Sequence, residues 1–113
     1  IDVFPSDQQD QIRVLLGNTI EGIVAQQLLP KLGGGRIASI EVMLGTSAIK
    51  NLIREGKTHQ MYSIIEMSGG VGMQTMDRAL SDIYRAGIVS FEECATRAID
   101  KDTFARLAKG VAA

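Results

Sequence analysis

Ala48-Ile49-Lys50-Asn51-Leu52-Ile53-Arg54-Glu55, followed by Gly56-Lys57-Thr58, carries two incompatible readings, and the choice between them decides the fold. The Gly-Lys-Thr end matches the tail of a phosphate-binding loop. That loop requires a glycine, four residues, then Gly-Lys-Ser/Thr. Counting back from Gly56 puts the first glycine at position 51, where the chain has Asn51. The intervening Leu52, Ile53, Arg54 and Glu55 are bulky residues in a helical pattern, whereas a phosphate cradle needs a turn whose N–H groups converge on the anion. The octet therefore reads as an amphipathic helix. Thr46 is its N-cap, and Ala48, Ile49, Leu52 and Ile53 form its apolar stripe. Lys50, Asn51, Arg54 and Glu55 form the opposite polar strip. Gly56 is the stop, with Lys57 near the negative end of the helix dipole.

The 113 residues suffice for one domain with a modest core. The start, Ile1-Asp2-Val3-Phe4-Pro5, is apolar enough to want a partner surface, which predicts a piece of a longer or processed chain. A net charge of −1 gives no bulk attraction to nucleic acid or to an anionic membrane. No long apolar run or signal-like segment is present, so a soluble protein is expected. One cysteine, Cys94, cannot form an internal disulfide and fits a reducing cytoplasm. A single histidine, His59, excludes a histidine-rich metal site, and the lack of tryptophan argues against base-stacking platforms.

Outward from the octet, Ser6-Asp7-Gln8-Gln9 has the form of a capping box after Pro5. It opens a helix through Ile12, Leu15 and Leu16 that should end near Ile20, with Gly17 and Gly22 weakening the pattern. Residues 23–29 are expected to be extended. Pro30-Lys31-Leu32-Gly33-Gly34-Gly35 is a turn by composition. Beyond it Ala38, Ile40, Val42 and Leu44 alternate with Ile37, Ser39, Glu41 and Met43, which predicts a strand with one buried face and, with 23–29, a β-hairpin. Two strands alone are marginal in water and call for a larger sheet or a covering helix. After Gly45 everything reads as helical. A second helix holds Met61, Ile64, Ile65 and Ser68 on one side and breaks at Ser68-Gly69-Gly70. A third runs through Met73, Met76, Leu80, Ile83 and Tyr84 to a stop at Gly87. Ser90-Phe91-Glu92-Glu93 is another capping box, before a helix with Phe91, Cys94, Ala95 and Ala98 inward. Asp100 caps the last, with Phe104, Leu107, Ala108 and Val111 inward.

No catalytic constellation is legible. His59 has no ligand partners at metal-site spacing. Cys94 lies on an apolar stripe and reads as a packed thiol. Glu41 lacks the second carboxylate of an acid–base pair and reads as structural. The methionines at 61, 67, 73 and 76 read as core filler, and Asp77 and Arg78 as helix-face charges. No catalytic, cofactor-binding or metal-binding residue is assigned. Composition and spacing reach no further than a soluble α+β fragment.

Specific stretches carry more. Ile1-Asp2-Val3-Phe4-Pro5, Val24-Ala25-Gln26-Gln27-Leu28-Leu29-Pro30, Gly45-Thr46-Ser47-Ala48 through Lys57, and Gly72-Met73-Gln74-Thr75-Met76-Asp77 occur in that order along nearly the whole chain. In these the chain resembles the C-terminal third of the PilT-like ATPases that retract type IV pili, relatives of the type II secretion ATPases. The octet looks like that family's own C-terminal motif. Ser47 stands where proline is common and Lys50 where arginine is common, and Lys50 keeps the charge but loses a bidentate fork.

The resemblance implies an α/β fragment: residues 1–45 as the end of a RecA-like ATPase core, helix plus β-hairpin, and 46–113 as a C-terminal helical subdomain. It implies a homo-hexameric motor in which ATP hydrolysis drives domain motion. The P-loop, the acidic boxes that hold magnesium and the histidine box would lie upstream, so ATP and Mg are implied for the full-length family and no cofactor for this segment. Assembly-type motors place a four-cysteine zinc module after the first strand. Here only Lys31-Leu32-Gly33-Gly34-Gly35 stands there, which favours the retraction branch. By the same resemblance the octet residues Ala48, Ile49, Lys50, Asn51, Leu52, Ile53, Arg54 and Glu55 serve coupling or interaction. Ala48, Ile49, Leu52 and Ile53 dock the helix, and Asn51, Arg54 and Glu55 contact a neighbouring subdomain, subunit or the pilus machine. The implied partners are the chain's own upstream core, neighbouring subunits and the inner-membrane pilus machinery, at a cytoplasmic location peripheral to it, with no nucleic acid. Two other readings stand beside this one. One is a non-enzymatic interaction module that binds a partner through the 48–55 helix. The other is a nucleotide-binding domain that uses Gly56-Lys57-Thr58.

Overall fold

The computed structural model describes residues 3–110. Ile1, Asp2 and Val111, which entered the expectations above, lie outside the described residues. The elements run α1 (Ser6–Thr19), β1 (Gly22–Pro30), β2 (Arg36–Leu44), α2 (Ser47–Arg54), a 3-10 turn (Thr58–Gln60), α3 (Met61–Met67), a second 3-10 turn (Gly69–Val71), α4 (Met76–Arg85), α5 (Phe91–Arg97) and α6 (Lys101–Ala108). The two strands pair as one hairpin. Lys31 N–H donates to the Gly35 carbonyl at the turn (2.9 Å), and Gly45 N–H to the Glu21 carbonyl at the open end (2.8 Å). Both bonds belong to the same antiparallel register, so the hairpin carries no net bulge.

Helices with a two-stranded hairpin, and the order of these elements, are as the periodicities predict. The exceptions have local causes. Ser6 does not cap α1: Pro5 holds the N-cap position without a side-chain bond. Gln9 reaches past Ser6 to the Phe4 carbonyl (2.8 Å). Met73 lies before α4 rather than in it, because Thr75 is the cap, its hydroxyl accepting from Arg78 N–H (3.1 Å). The Ser90 and Asp100 caps are formed, but Glu93 does not close a reciprocal box. Its carboxylate lies 2.6 Å from Arg97 Nη1. Met67 is 74 % exposed, so it is not core filler as its spacing predicted.

Contacts divide the chain into two compact units. The first holds residues up to Ile23 together with Val42–Met73, the second Val24–Glu41 together with the residues from Gln74 on. The first unit's core is Ile20, Met43, Ile49, Ile53, Ile65 and Met73, with Leu44, Met61 and Ile64 packed on it. Gly45 permits this packing: a Cβ there would stand 3.1 Å from Glu21 Cα and drive into the Ile20 carbonyl.

The second unit's core is Leu29, Met76, Leu80, Val89, Cys94 and Phe104. Its share of the hairpin buries the less apolar face of β2. Ser39 is fully buried and Ile37 half-buried, while Ile40 on the other face is exposed, as are Val24 and Leu28 of β1. The alternation was legible, but which face turns inward was not, because Ile37 and Leu29 anchor the mixed face. Glu41 has the structural role expected of it: Oε2 accepts from Met76 N–H (3.0 Å), the first orphan donor of α4.

Cys94 is fully buried. Burial pushes its thiol pKa up, the nearby Arg97 pulls it down and Glu93 adds to the rise. The folded chain therefore keeps the thiol proton at pH values where the unfolded chain has lost it. Stability from this group is complete below the unfolded thiol's range and declines as pH rises through and above it. Thiol reagents at pH 8 are expected to label Cys94 only at the rate of unfolding, and Cys94→Ala should flatten the alkaline limb of a stability–pH curve.

Candidate functional site: the octet helix and its seat

The octet forms α2 almost as its residues dictate. Thr46 caps it, with its hydroxyl accepting from Ile49 N–H (3.4 Å). At the other end Gly56 takes φ +71°. Its N–H donates to the Ile53 carbonyl (3.1 Å) and Lys57 N–H to the Leu52 carbonyl (2.8 Å). This pair of bonds is the Schellman stop that glycine permits. The N–H groups of Gly56 and Lys57 are thus taken by helix carbonyls, and Lys57 Nζ lies 3.2 Å from the Glu55 carboxylate. Gly56 and Lys57 therefore direct their N–H groups back onto α2 rather than converging them outward as a phosphate cradle does.

Ile49 and Ile53 are buried in the first unit's core, but the stripe is narrower than its letters suggested. Leu52 is half-buried and Ala48 is exposed. Ile53→Ala is accordingly expected to cost about 2–4 kcal/mol in chemical denaturation and Leu52→Ala distinctly less.

The polar strip is divided as well. Asn51 and Glu55 are exposed, while Lys50 and Arg54 are half-buried. Arg54 does not simply face solvent. Its Nη1 donates to Asn18 Oδ1 on α1 (2.7 Å), and its Nη2 donates to Asn51 Oδ1 on its own helix. The stem of Arg54 lies over Gly17, the only buried residue of α1. A Cβ at 17 would run into Arg54 Cγ and come within 2.9 Å of the Lys50 carbonyl oxygen. Gly17, which weakened the sequence pattern, is therefore what lets α1 and α2 approach. A turn earlier on α1, Arg13 lies across Gly56: a Cβ there would be 3.5 Å from its Cδ and Nε. A cation at that place faces the carbonyl end of α2. Gly17, Asn18 and Arg13 had no signal of their own in the sequence, save that a glycine inside a helix marks a point of close approach.

The motif Gly72-Met73-Gln74-Thr75-Met76-Asp77 is structural. Gln74 Nε2 donates to the Ile40 carbonyl. Asp77, expected on a helix surface, is fully buried. Its Oδ1 accepts from Ile99 N–H (2.7 Å) and its Oδ2 from Asp100 N–H (3.0 Å), which tie the α5–α6 link to the first turn of α4. Arg78 keeps the surface place expected of it, 3.9 Å from Asp82. His59 is exposed. Among the described residues no cluster of three or more His, Cys, Asp or Glu is placed to hold a metal ion, and no helix is long and apolar enough to cross a membrane.

No family model matches the chain. It is 41% identical over 104 residues to the type IV pilus retraction ATPase PilT of Pseudomonas aeruginosa, covering 92% of this chain and 30% of that protein. It is 35% identical over 104 residues to a twitching motility protein of Neisseria gonorrhoeae, covering 91% of this chain and 28% of that one. Among solved structures, the pilus retraction motor PilT with bound ADP superposes with a TM-score of 0.80 at 39% identity, over 93% of this chain and 29% of that one. The Legionella pneumophila ATPase DotB superposes at 0.63 with 18% identity, over 82% of this chain and 25% of that one, a likeness of fold alone. The chain thus spans less than a third of the length of each of these relatives. With the octet, the glycine stop and the 72–77 motif in place on a PilT-like backbone, the chain belongs to the family of PilT-like type IV pilus retraction ATPases.

Proposed function

We propose that this chain is the C-terminal segment of a hexameric motor ATPase that powers type IV pilus retraction and twitching motility. In this reading residues 1–45 end a RecA-like core and 46–113 form a C-terminal helical subdomain. The P-loop and the magnesium-holding acidic residues lie upstream, so the segment alone does not hydrolyse ATP. The motor is cytoplasmic, at the inner-membrane pilus machine, and its partners are its own upstream core, neighbouring subunits and that machine. Within it α2 is the element that couples nucleotide-driven domain motion to retraction.

The observation that carries the reading is the 41% identity to a pilus retraction ATPase over nearly the whole chain. The way α2 is built supports the coupling role: Ile49 and Ile53 root it in the core, Thr46 and Gly56 bound it, and Asn51 and Glu55 stand outward. A helix so held can transmit a displacement without deforming. Two measurements test the proposal. Deleting the gene should leave cells with extended pili that do not retract, and normal retraction in the deletion strain would contradict it. Titrating the 113-residue chain with ATP and magnesium should give no binding in the micromolar range. Binding lost on Lys57→Ala would place a nucleotide site at Gly56-Lys57-Thr58 instead.

A further inference from the structure

Arg54 is the octet side chain that bonds to a second helix, α1. Its aliphatic stem covers Gly17, and its guanidinium bridges Asn18 Oδ1 on α1 and Asn51 Oδ1 on α2. Glu55 is engaged on the same chain, with Lys57 at 3.2 Å. We propose that Arg54 is a positioning residue: it locks the rotation of α2 against α1 through Asn18, so that the octet transmits motion into α1 rather than presenting the Arg54 charge to an outside partner. This rests on the reading of α2 as the coupling element and says where the coupling goes.

Three features of the site argue for it. First, the two acceptors are neutral amide oxygens on different helices, spaced for the two arms of one planar fork. A point charge such as lysine cannot bridge them in the same way. An arginine awaiting an external carboxylate or phosphate would keep its fork free, and here both arms are in use. Second, the crossing point is a glycine. Gly17 lets the two backbones approach beneath the Arg54 stem, and a directional bond at the next residue, Asn18, fixes the register of the contact. Third, the Arg13 side chain, whose guanidinium pairs with Asp10 on α1 (3.2 Å), lies against Gly56 one turn away and limits how α2 can tilt there. A bond at Arg54 and a steric neighbour at Gly56 together constrain the orientation more than the bond alone. The bond itself is exposed and adds little to folding, so its value lies in geometry.

The test is a double-mutant cycle in the full-length protein, read as pilus retraction speed, with thermal melting as the control on folding. Arg54→Ala and Asn18→Ala are each expected to slow retraction, and the double variant is expected to be no slower than the worse single one, because both remove the same bond. Arg54→Lys should be slow as well. Adding Asn18→Asp should restore most of its speed, since a carboxylate on α1 gives the lysine a charged partner. A purely external role for Arg54 predicts no such rescue, and a purely structural one predicts that retraction speed falls only where the melting temperature falls. If Asn18→Ala retracts at the wild-type rate while Arg54→Ala does not, Arg54 acts on an outside partner and the inference falls, with the coupling role of α2 intact. If Arg54→Ala, Asn51→Ala and Glu55→Ala all retract normally, the coupling role of α2 falls and takes the inference with it.

Discussion

Asp77→Ala is expected to destabilise the chain by about 3–6 kcal/mol, the sum of two hydrogen bonds to a buried carboxylate at roughly 1.5–3 kcal/mol each. Asp77 has no exposed surface, and both its oxygens accept backbone N–H groups, from Ile99 and Asp100. Removing the carboxylate leaves those donors without it in the interior, with no side chain left to turn toward them. The carboxylate also sits in the first turn of α4, where the positive end of the helix dipole favours a negative charge. Asp77→Asn is isosteric and should still cost more than about 1 kcal/mol, because its amide nitrogen would point a donor at a donor. Urea unfolding of the three proteins decides it. An Asp77→Ala variant within about 0.5 kcal/mol of wild type, the range of ordinary surface substitutions, would mean that the α5–α6 link does not depend on this residue.

Phe104→Ala should cost about 3–5 kcal/mol, the usual range for removing a core aromatic. Phe104 is completely buried, and its ring lies 5.4 Å from that of Phe91, which in turn meets Tyr84 edge-on at 5.4 Å. Deleting the ring opens a cavity against Leu29, Leu80 and Cys94, which share its cluster. Phe91→Ala provides the control. Phe91 is 42 % exposed and its ring leans on Phe104 at 42° with one side in water, so its loss should cost less than half as much. Denaturation midpoints of the two variants measure the difference, and equal losses would contradict the placement of Phe104 at the centre of this unit.

How much of this was legible in the sequence depended on whether a feature is local. Helix ends are local: Thr46, Ser90 and Asp100 cap where their chemistry says, and Gly56 and Gly87 take positive φ at the stops they predict. Period-two alternation revealed β2, but the inward face is a non-local choice. The face with Ser39 and Glu41 turned inward because Ile37 and Leu29 pack in the second unit's core and because Glu41 serves the α4 terminus. The Ser6 capping box failed for a reason with a local cause that spacing alone did not reveal: Pro5 already occupies the cap position, so Gln9 found the Phe4 carbonyl instead. In the octet, the apolar stripe correctly marked Ile49 and Ile53 as docked. That Arg54 turns onto α1 could not be read, since it depends on Gly17 and Asn18, more than thirty residues away. Asp77 is the same kind of miss. A lone aspartate in a first helical turn looks like a dipole partner, and only the return of the α5–α6 link over it makes it a buried anchor.

The central claim is that the 48–55 helix serves mechanical coupling rather than nucleotide chemistry. Its most direct test is to measure ATP turnover and pilus retraction side by side in the full-length protein carrying Asn51→Ala or Glu55→Ala, two exposed octet residues outside the apolar core. The account predicts retraction slowed by about ten-fold or more, equivalent to roughly 1.4 kcal/mol, at essentially wild-type ATP turnover. Turnover and retraction falling together, or retraction untouched, would contradict it.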